Sequence, residues 1–175
     1  ADFTETKKAI YAISEYDGPV YLRLGREKLP IIYDENYVFE IGKGSLLKEG
    51  NDLTIIASGP LVKDSLEAYE LLLKEGINAR VINISTIKPI DKEMIIKAAK
   101  ETKAIITCED HSIIGGLGSA LDDADIQLAQ NGADPPQGAR GVWSHKLEYG
   151  ARPQLERLFS LADQHQCVGG FSEAA

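Results

Sequence analysis

The sequence predicts an α/β protein, a layered α/β/α sandwich, and three observations carry that prediction. Short apolar runs at Leu53 to Ala57, Ala79 to Ile84 and Ala104 to Cys108 have the look of strands covered on both faces. Between them lie segments whose apolar residues repeat at helical spacing. Such alternation implies parallel strands joined by helical crossovers. The chain has 175 residues, 43% hydrophobic and 26% charged, which suits one ordinary domain with room for a fragment of a second.

Each element has its own local justification. Thr4 to Glu15 places Ile10 and Ile13 among Lys and Glu, as a surface helix does. Asp17-Gly18-Pro19 is a turn, and Val20 to Leu24 (VYLRL) alternates as a strand should. Arg26 to Asn36 reads as an irregular connection. Val38 to Ile41 is expected to be extended, and Lys48 to Asp52 turns into the first buried run, Leu53 to Ala57. After Ser58-Gly59-Pro60, the residues Val62, Leu66, Tyr69 and Leu73 mark a helix that Gly76 closes. The cycle repeats with the strand Ala79 to Ile84, and Asp91 then caps a helix reaching Glu101. Beyond the strand Ala104 to Cys108, a further helix carries Leu117, Leu121, Ala124 and Leu128 on one stripe. NGADPPQGAR, from Asn131, is turn-rich. Gly141-Val142-Trp143 suits a last short strand, Pro153 can open a final helix, and VGGFSEAA is expected to fray.

Bulk properties exclude several classes of function. A net charge of -8 argues against nucleic acid, because binding a phosphate backbone needs a basic face. No apolar run approaches the length of a membrane span, and mean hydropathy is -0.17. The amino end, ADFTETKKAIYAISEY, is not expected to be a secretory signal. Cys108 and Cys167 lack the paired spacing of a zinc or redox motif and read as free thiols of a reducing cytoplasm.

The stretch EDHSIIGGLGS, Glu109 to Ser119, concentrates the candidate chemistry. It lies between a strand and a helix, at the carboxyl end of a parallel sheet, where ligands bind in open α/β folds. The dinucleotide fingerprint nevertheless fails, because Leu121 stands where the third glycine belongs. Glu109 and Asp110 would also repel a phosphate. Gly115, Gly116 and Gly118 therefore suit close backbone packing or positive φ better than a cofactor cradle. His111 has two readings: a proton carrier tuned by a neighbouring carboxylate, or a loop histidine bonded to backbone. Arg23 and Arg26 flank Leu24-Gly25; two guanidinium groups there can clamp a phosphate or simply cover surface.

Four segments, in order, carry a resemblance. GPVYLRLGR, FEIGKGSLLKEGNDLTIIASGPLVKDSLEAYELL, ARVINISTIKPID and AIITCEDHSIIGGLGSA together resemble the C-terminal part of transketolase-family proteins. The short C-terminal section of split prokaryotic transketolases and the end of 1-deoxyxylulose-5-phosphate synthase share the pattern. The resemblance runs through residues 1 to 120. After Ala120 the chain departs from the family, although YGARPQLERLFSLADQH resembles its last turn and helix.

The resemblance implies a boundary: residues 1–36 as the end of a pyrimidine-binding domain and its linker, a truncated helix-strand remnant, and 37–175 as a transketolase C-terminal domain. That domain is a three-layer sandwich around a mixed, mostly parallel five-stranded sheet whose first strand is antiparallel. The implied activity is thiamine-diphosphate-dependent transfer of two-carbon ketol units between phosphorylated sugars, as in a cytoplasmic pentose phosphate pathway enzyme. Thiamine diphosphate and Mg2+ would be held by an N-terminal domain or subunit, so this chain alone is expected to bind neither and to be inactive. A homodimer is also implied. By the same resemblance Arg26 and Arg23 are the substrate-phosphate contacts. His111, Asp110, Gly115, Gly116 and Gly118 lie near the active-site approach or the subunit interface. None of these is assigned a catalytic role. The alternatives are a non-catalytic dimerisation or regulatory module, or part of the synthase. An independent nucleotide-binding domain is disfavoured by the failed glycine fingerprint.

Overall fold

The structure, a computed structural model, describes residues 1–112 and 115–121, together with the backbone of residues 142–146. Its elements run α1 (Phe3–Ser14), β1 (Ser45–Lys48), β2 (Leu53–Ala57), α2 (Leu61–Lys74), β3 (Ala79–Asn83), α3 (Lys92–Glu101), β4 (Ile105–Glu109) and β5 (Val142–Lys146). The strands form one mixed, mostly parallel sheet in the order β1-β3-β2-β4-β5. Strand β1 is antiparallel to β3, and the remaining pairs are parallel. The expected stripe at Ala124 and Leu128, the loop from Asn131, the helix opened by Pro153, the frayed end and Cys167 all lie outside the described residues.

Every residue of β2 and β3 is buried, because helices cover both faces of these central strands. The pleat sends Leu53, Ile55 and Ala57 into a cluster with Leu61, Val62, Ala68 and Leu72 of α2. Ile56 and Ile82 point the other way, against Ile95, Ala98 and Ala99 of α3 and against Leu117 and Leu121. Two apolar cores thus sandwich the sheet.

Helix ends follow local chemistry. At the close of α2, Gly76 takes φ +79°; its amide donates to the Leu73 carbonyl and that of Ile77 to Leu72. This is a Schellman cap, which favours glycine at that position. Asp91 caps α3: one oxygen accepts the Met94 amide at 3.1 Å and the other the Gly44 amide at 3.0 Å. Asp52 ties the opposite edge of the sheet, accepting from the Asn78 amide and from Lys103 Nζ.

Two expected extended segments are not strands. Val20 to Leu24 and Val38 to Ile41 lie in irregular backbone, with Val20, Tyr21, Leu22, Leu24 and Val38 exposed. Their local patterns are right for strands. A strand, however, needs a neighbour to pair its amides and carbonyls, and the described residues offer none here.

Candidate functional site

The parallel strands β2, β3 and β4 end together at Ala57, Asn83 and Glu109, so the carboxyl edge of the sheet is a single surface. Two groups of side chains meet there.

The first surrounds the glycine corner after β4. The side chain of Glu109, 8% exposed, folds back so that Oε1 accepts the Leu117 amide at 2.5 Å. Leu117 begins the helical residues 117–121, whose first amides have no partner within the helix. Glu109 thus caps that helix with a carboxylate of favourable sign. A Cβ on Gly116 would overlap the Glu109 carboxylate and the Ser112 carbonyl oxygen, so this position admits no side chain. Gly115 has φ +74° and donates its amide to Ser119 Oγ at 3.0 Å. Gly118 is buried. The chain's own carboxylate therefore fills the place where a phosphate would otherwise sit.

Asp110 and His111 follow on the outer side of this corner. Arg23 reaches Asp110 from the amino-terminal segment: Nη1 donates to the Asp110 carbonyl at 2.8 Å, with Nη2 3.6 Å from Oδ2. Both side chains are about half-exposed, so this ion pair is worth at most about 1 kcal/mol. The structure brings Arg23 to Asp110 and Glu109 to Gly116; Arg26 and His111 are exposed and stand outside these contacts.

The second group centres on the buried residues Asp2, Glu5, Tyr33 and Asn83, with Tyr37 and Ser45 half-buried beside them. Glu5, on α1, accepts at Oε1 from Asn83 Nδ2 at 2.7 Å and from the Tyr37 hydroxyl at 3.1 Å. The same Asn83 nitrogen donates to the Tyr33 hydroxyl at 2.8 Å, and Tyr33 and Tyr37 stack with ring centroids 3.8 Å apart. Tyr37 also meets Ser45 Oγ at 3.2 Å. Asp2 caps α1 through the Glu5 amide, and its other oxygen accepts the amides of Ile32 and Tyr33 at 2.6 and 2.8 Å. Burial pushes both phenols above their ordinary range, with the neighbouring Glu5 charge acting in the same direction. Asn83 is fully buried and its Oδ1 has no partner, a defect that costs about 1–3 kcal/mol.

Sequence reasoning missed this second group. One signal was present: Asp2 followed by Glu5 is the spacing of a capping box. Another was Asn83 itself, a carboxamide inside an apolar run.

Fold and geometry together describe a mixed α/β domain whose carboxyl edge is closed by its own amino-terminal segment. Residues 42–165 match the family model for the transketolase C-terminal domain. The chain belongs to the transketolase family. It is 46% identical over 160 residues to the 6-deoxy-6-sulfo-D-fructose transketolase subunit SqwH of Clostridium sp., covering 91% of this chain and 48% of that protein. It is 45% identical over 121 residues to one of the subunits of the apulose-4-phosphate transketolase of Phocaeicola vulgatus, covering 69% and 39%. A solved split-gene transketolase, described as an inactive β4 tetramer, superposes with a TM-score of 0.74 at 38% identity, over 90% of this chain and 50% of that one. The chain thus spans half or less of the length of these relatives.

Proposed function

We propose that this chain is the C-terminal portion of a thiamine-diphosphate-dependent transketolase that moves two-carbon ketol units between phosphorylated sugars. The observation that carries the reading is the alignment of 91% of the chain with about half of a sugar transketolase subunit. The remaining chemistry then belongs to a cofactor-bearing domain or subunit. The described residues do not suit the cofactor themselves. Among them no group of three His, Cys, Asp or Glu side chains could hold a metal ion, and Glu109 fills the helix end where a diphosphate would otherwise sit.

In this reading residues 1–36 complete a pyrimidine-binding domain and 37–175 form the C-terminal domain, a three-layer sandwich. The exposed apolar residues Val20, Tyr21, Leu22 and Leu24 are a strand that pairs once the rest of that domain is present. Arg26, exposed just beyond them, contacts the substrate phosphate, with Arg23 beside it. His111, Asp110 and the glycine corner face the approach to the site and a neighbouring copy of the chain. Self-association without turnover is in keeping with the similar protein described as an inactive β4 tetramer. Cytoplasmic sugar metabolism is the setting we infer; among the described residues no helix is long and apolar enough to cross a membrane.

Replacing Arg26 tests the reading. In an assembly with the cofactor-bearing chain, Arg26→Ala is expected to raise KM for a phosphorylated acceptor at least ~10-fold, the loss of one charge-assisted contact, and to leave an unphosphorylated acceptor nearly unchanged. Equal effects on both would remove Arg26 from the site.

A further inference from the structure

The segment bearing both arginines, residues 15–31, has no regular secondary structure, and its apolar side chains are largely exposed. Apart from the exposed contact of Arg23 with Asp110, what fixes it acts at its ends. One end is α1, and the other is the stretch from Ile32 to Tyr37. Both converge on a single carboxamide at the close of the central strand β3. We propose that Asn83 is a positioning residue that holds the arginine-bearing segment in register with the sheet, by donating one hydrogen to Glu5 and the other to Tyr33.

Three features support the assignment. Asn83 Nδ2 has two hydrogens, and its two acceptors come from the two ends of the segment, 78 and 50 residues away in sequence. Asp2 then fastens those ends to each other, capping α1 with one oxygen and accepting the Ile32 and Tyr33 amides with the other. Finally, Asn83 is fully buried and keeps Oδ1 without a partner. An apolar residue would avoid that defect, so stability alone does not account for a carboxamide here. A donor serving two separate segments does account for it. Asn83 pairs with Ala57 on one side and Ser45 on the other, so the anchor stands on the rigid middle of the sheet. In the middle of the segment Arg23 holds the Asp110 carbonyl, and Arg26 follows three residues later.

The consequence for turnover rests on the reading of Arg26 given above; the contact itself does not. Asn83→Asp replaces a donor with an acceptor facing Glu5, whereas the exchange Glu5→Gln with Asn83→Asp restores a donor and an acceptor with their positions reversed. Hydrogen exchange on this chain tests the contact. In Asn83→Asp the amides of α1, Ile32 and Tyr33 are expected to exchange at least ~10-fold faster, those of β2 by less than ~2-fold, and the double variant to recover to within ~3-fold of the parent. If Asn83→Asp does not fold, Glu5→Leu reads the same contact from the helix side, with the same pattern expected. Unchanged exchange in α1, equal acceleration in β2, or no recovery in the exchanged pair overturns the proposal. In the assembly with the cofactor-bearing chain, KM for a phosphorylated acceptor should rise more than kcat falls in Asn83→Asp, and the exchanged pair should restore it. If exchange behaves as expected while KM stays unchanged, the contact stands and Arg26 leaves the substrate site.

Discussion

Glu109 Oε1 accepts the Leu117 amide at 2.5 Å across a glycine corner that leaves no room for a side chain at Gly116. One carboxylate therefore both ends a strand and starts a helix. Glu109→Ala should lower stability by about 1–2 kcal/mol, the loss typical of a removed helix cap. Gly116→Ala should cost at least about 2 kcal/mol, because its methyl group meets a carboxylate and a main-chain carbonyl. Urea unfolding of the two variants checks both values. A Gly116→Ala chain as stable as the parent would mean that the corner can open to admit a methyl group.

The turn before β2 makes a second prediction of the same kind. A Cβ on Gly50 would run into the main chain of Ala79 at the start of β3. Backbone in a central strand has little freedom to move aside. Gly50→Ala is thus expected to destabilise by about 1–3 kcal/mol, measured as a shift of the urea midpoint with unchanged slope.

The stacked tyrosines predict a late alkaline step. Burial, the first cause, raises Tyr33 and Tyr37 above the ordinary phenol range, and the Glu5 charge adds to it. A phenol whose folded pKa is raised stabilises the fold fully below the unfolded value of 10.0. That contribution is lost as pH climbs through the folded value. Tyrosinate absorbance should therefore show ionisation beyond the ordinary range, coincident with loosening of α1. Tyr33→Phe and Tyr37→Phe should each diminish that step.

Cys108 should be inert in the native chain. It is 3% exposed, and burial pushes its thiol up to about 11. At pH 8 little thiolate exists, and reagent cannot reach it. In a Cys167→Ser background, thiol labelling should proceed at the rate of unfolding and accelerate in urea. Fast stoichiometric labelling of the native variant would contradict the packing around β4.

Arg80 offers a contrast between charge and volume. Its buried guanidinium lies 2.7 Å from Glu101 Oε2, while Nε has no partner. Arg80→Met should change stability by less than about 1 kcal/mol, since an apolar side chain of similar volume escapes that desolvation. Glu101→Ala should be the more costly substitution, because it leaves a buried cation with Glu49 alone at 3.8 Å. Thermal unfolding of the pair orders them.

The sequence was most readable where a local rule and the tertiary fold agree. Gly76 after a helical stripe and Asp91 before one act as expected, because capping depends on residues within a few positions. The runs in β2 and β3 were equally plain, since strands buried on both faces are apolar throughout. Val20 to Leu24 shows the limit: alternation describes a strand but cannot supply its neighbour. At the glycine corner, the need for close packing at Gly116 was legible. The agent, Glu109, was not, because its side chain folds back over eight residues. Asn83 stood out only as a carboxamide inside an apolar run; its partners at Glu5 and Tyr33, 78 and 50 residues away, lay beyond local reasoning. Arg23 and Asp110 each stood out by residue type, but their contact spans 87 residues and only the fold reveals it.

Turnover with and without a partner chain decides whether this is one portion of a transketolase. The chain should be mixed with a chain carrying the thiamine-diphosphate-binding domain of a split transketolase, and ketol transfer from a phosphorylated ketose followed with thiamine diphosphate and Mg2+ present. Transfer is expected in the mixture and none by this chain alone, with loss of the mixture's preference for phosphorylated acceptors in Arg26→Ala. Ketol transfer by the isolated chain would contradict the proposed division of labour.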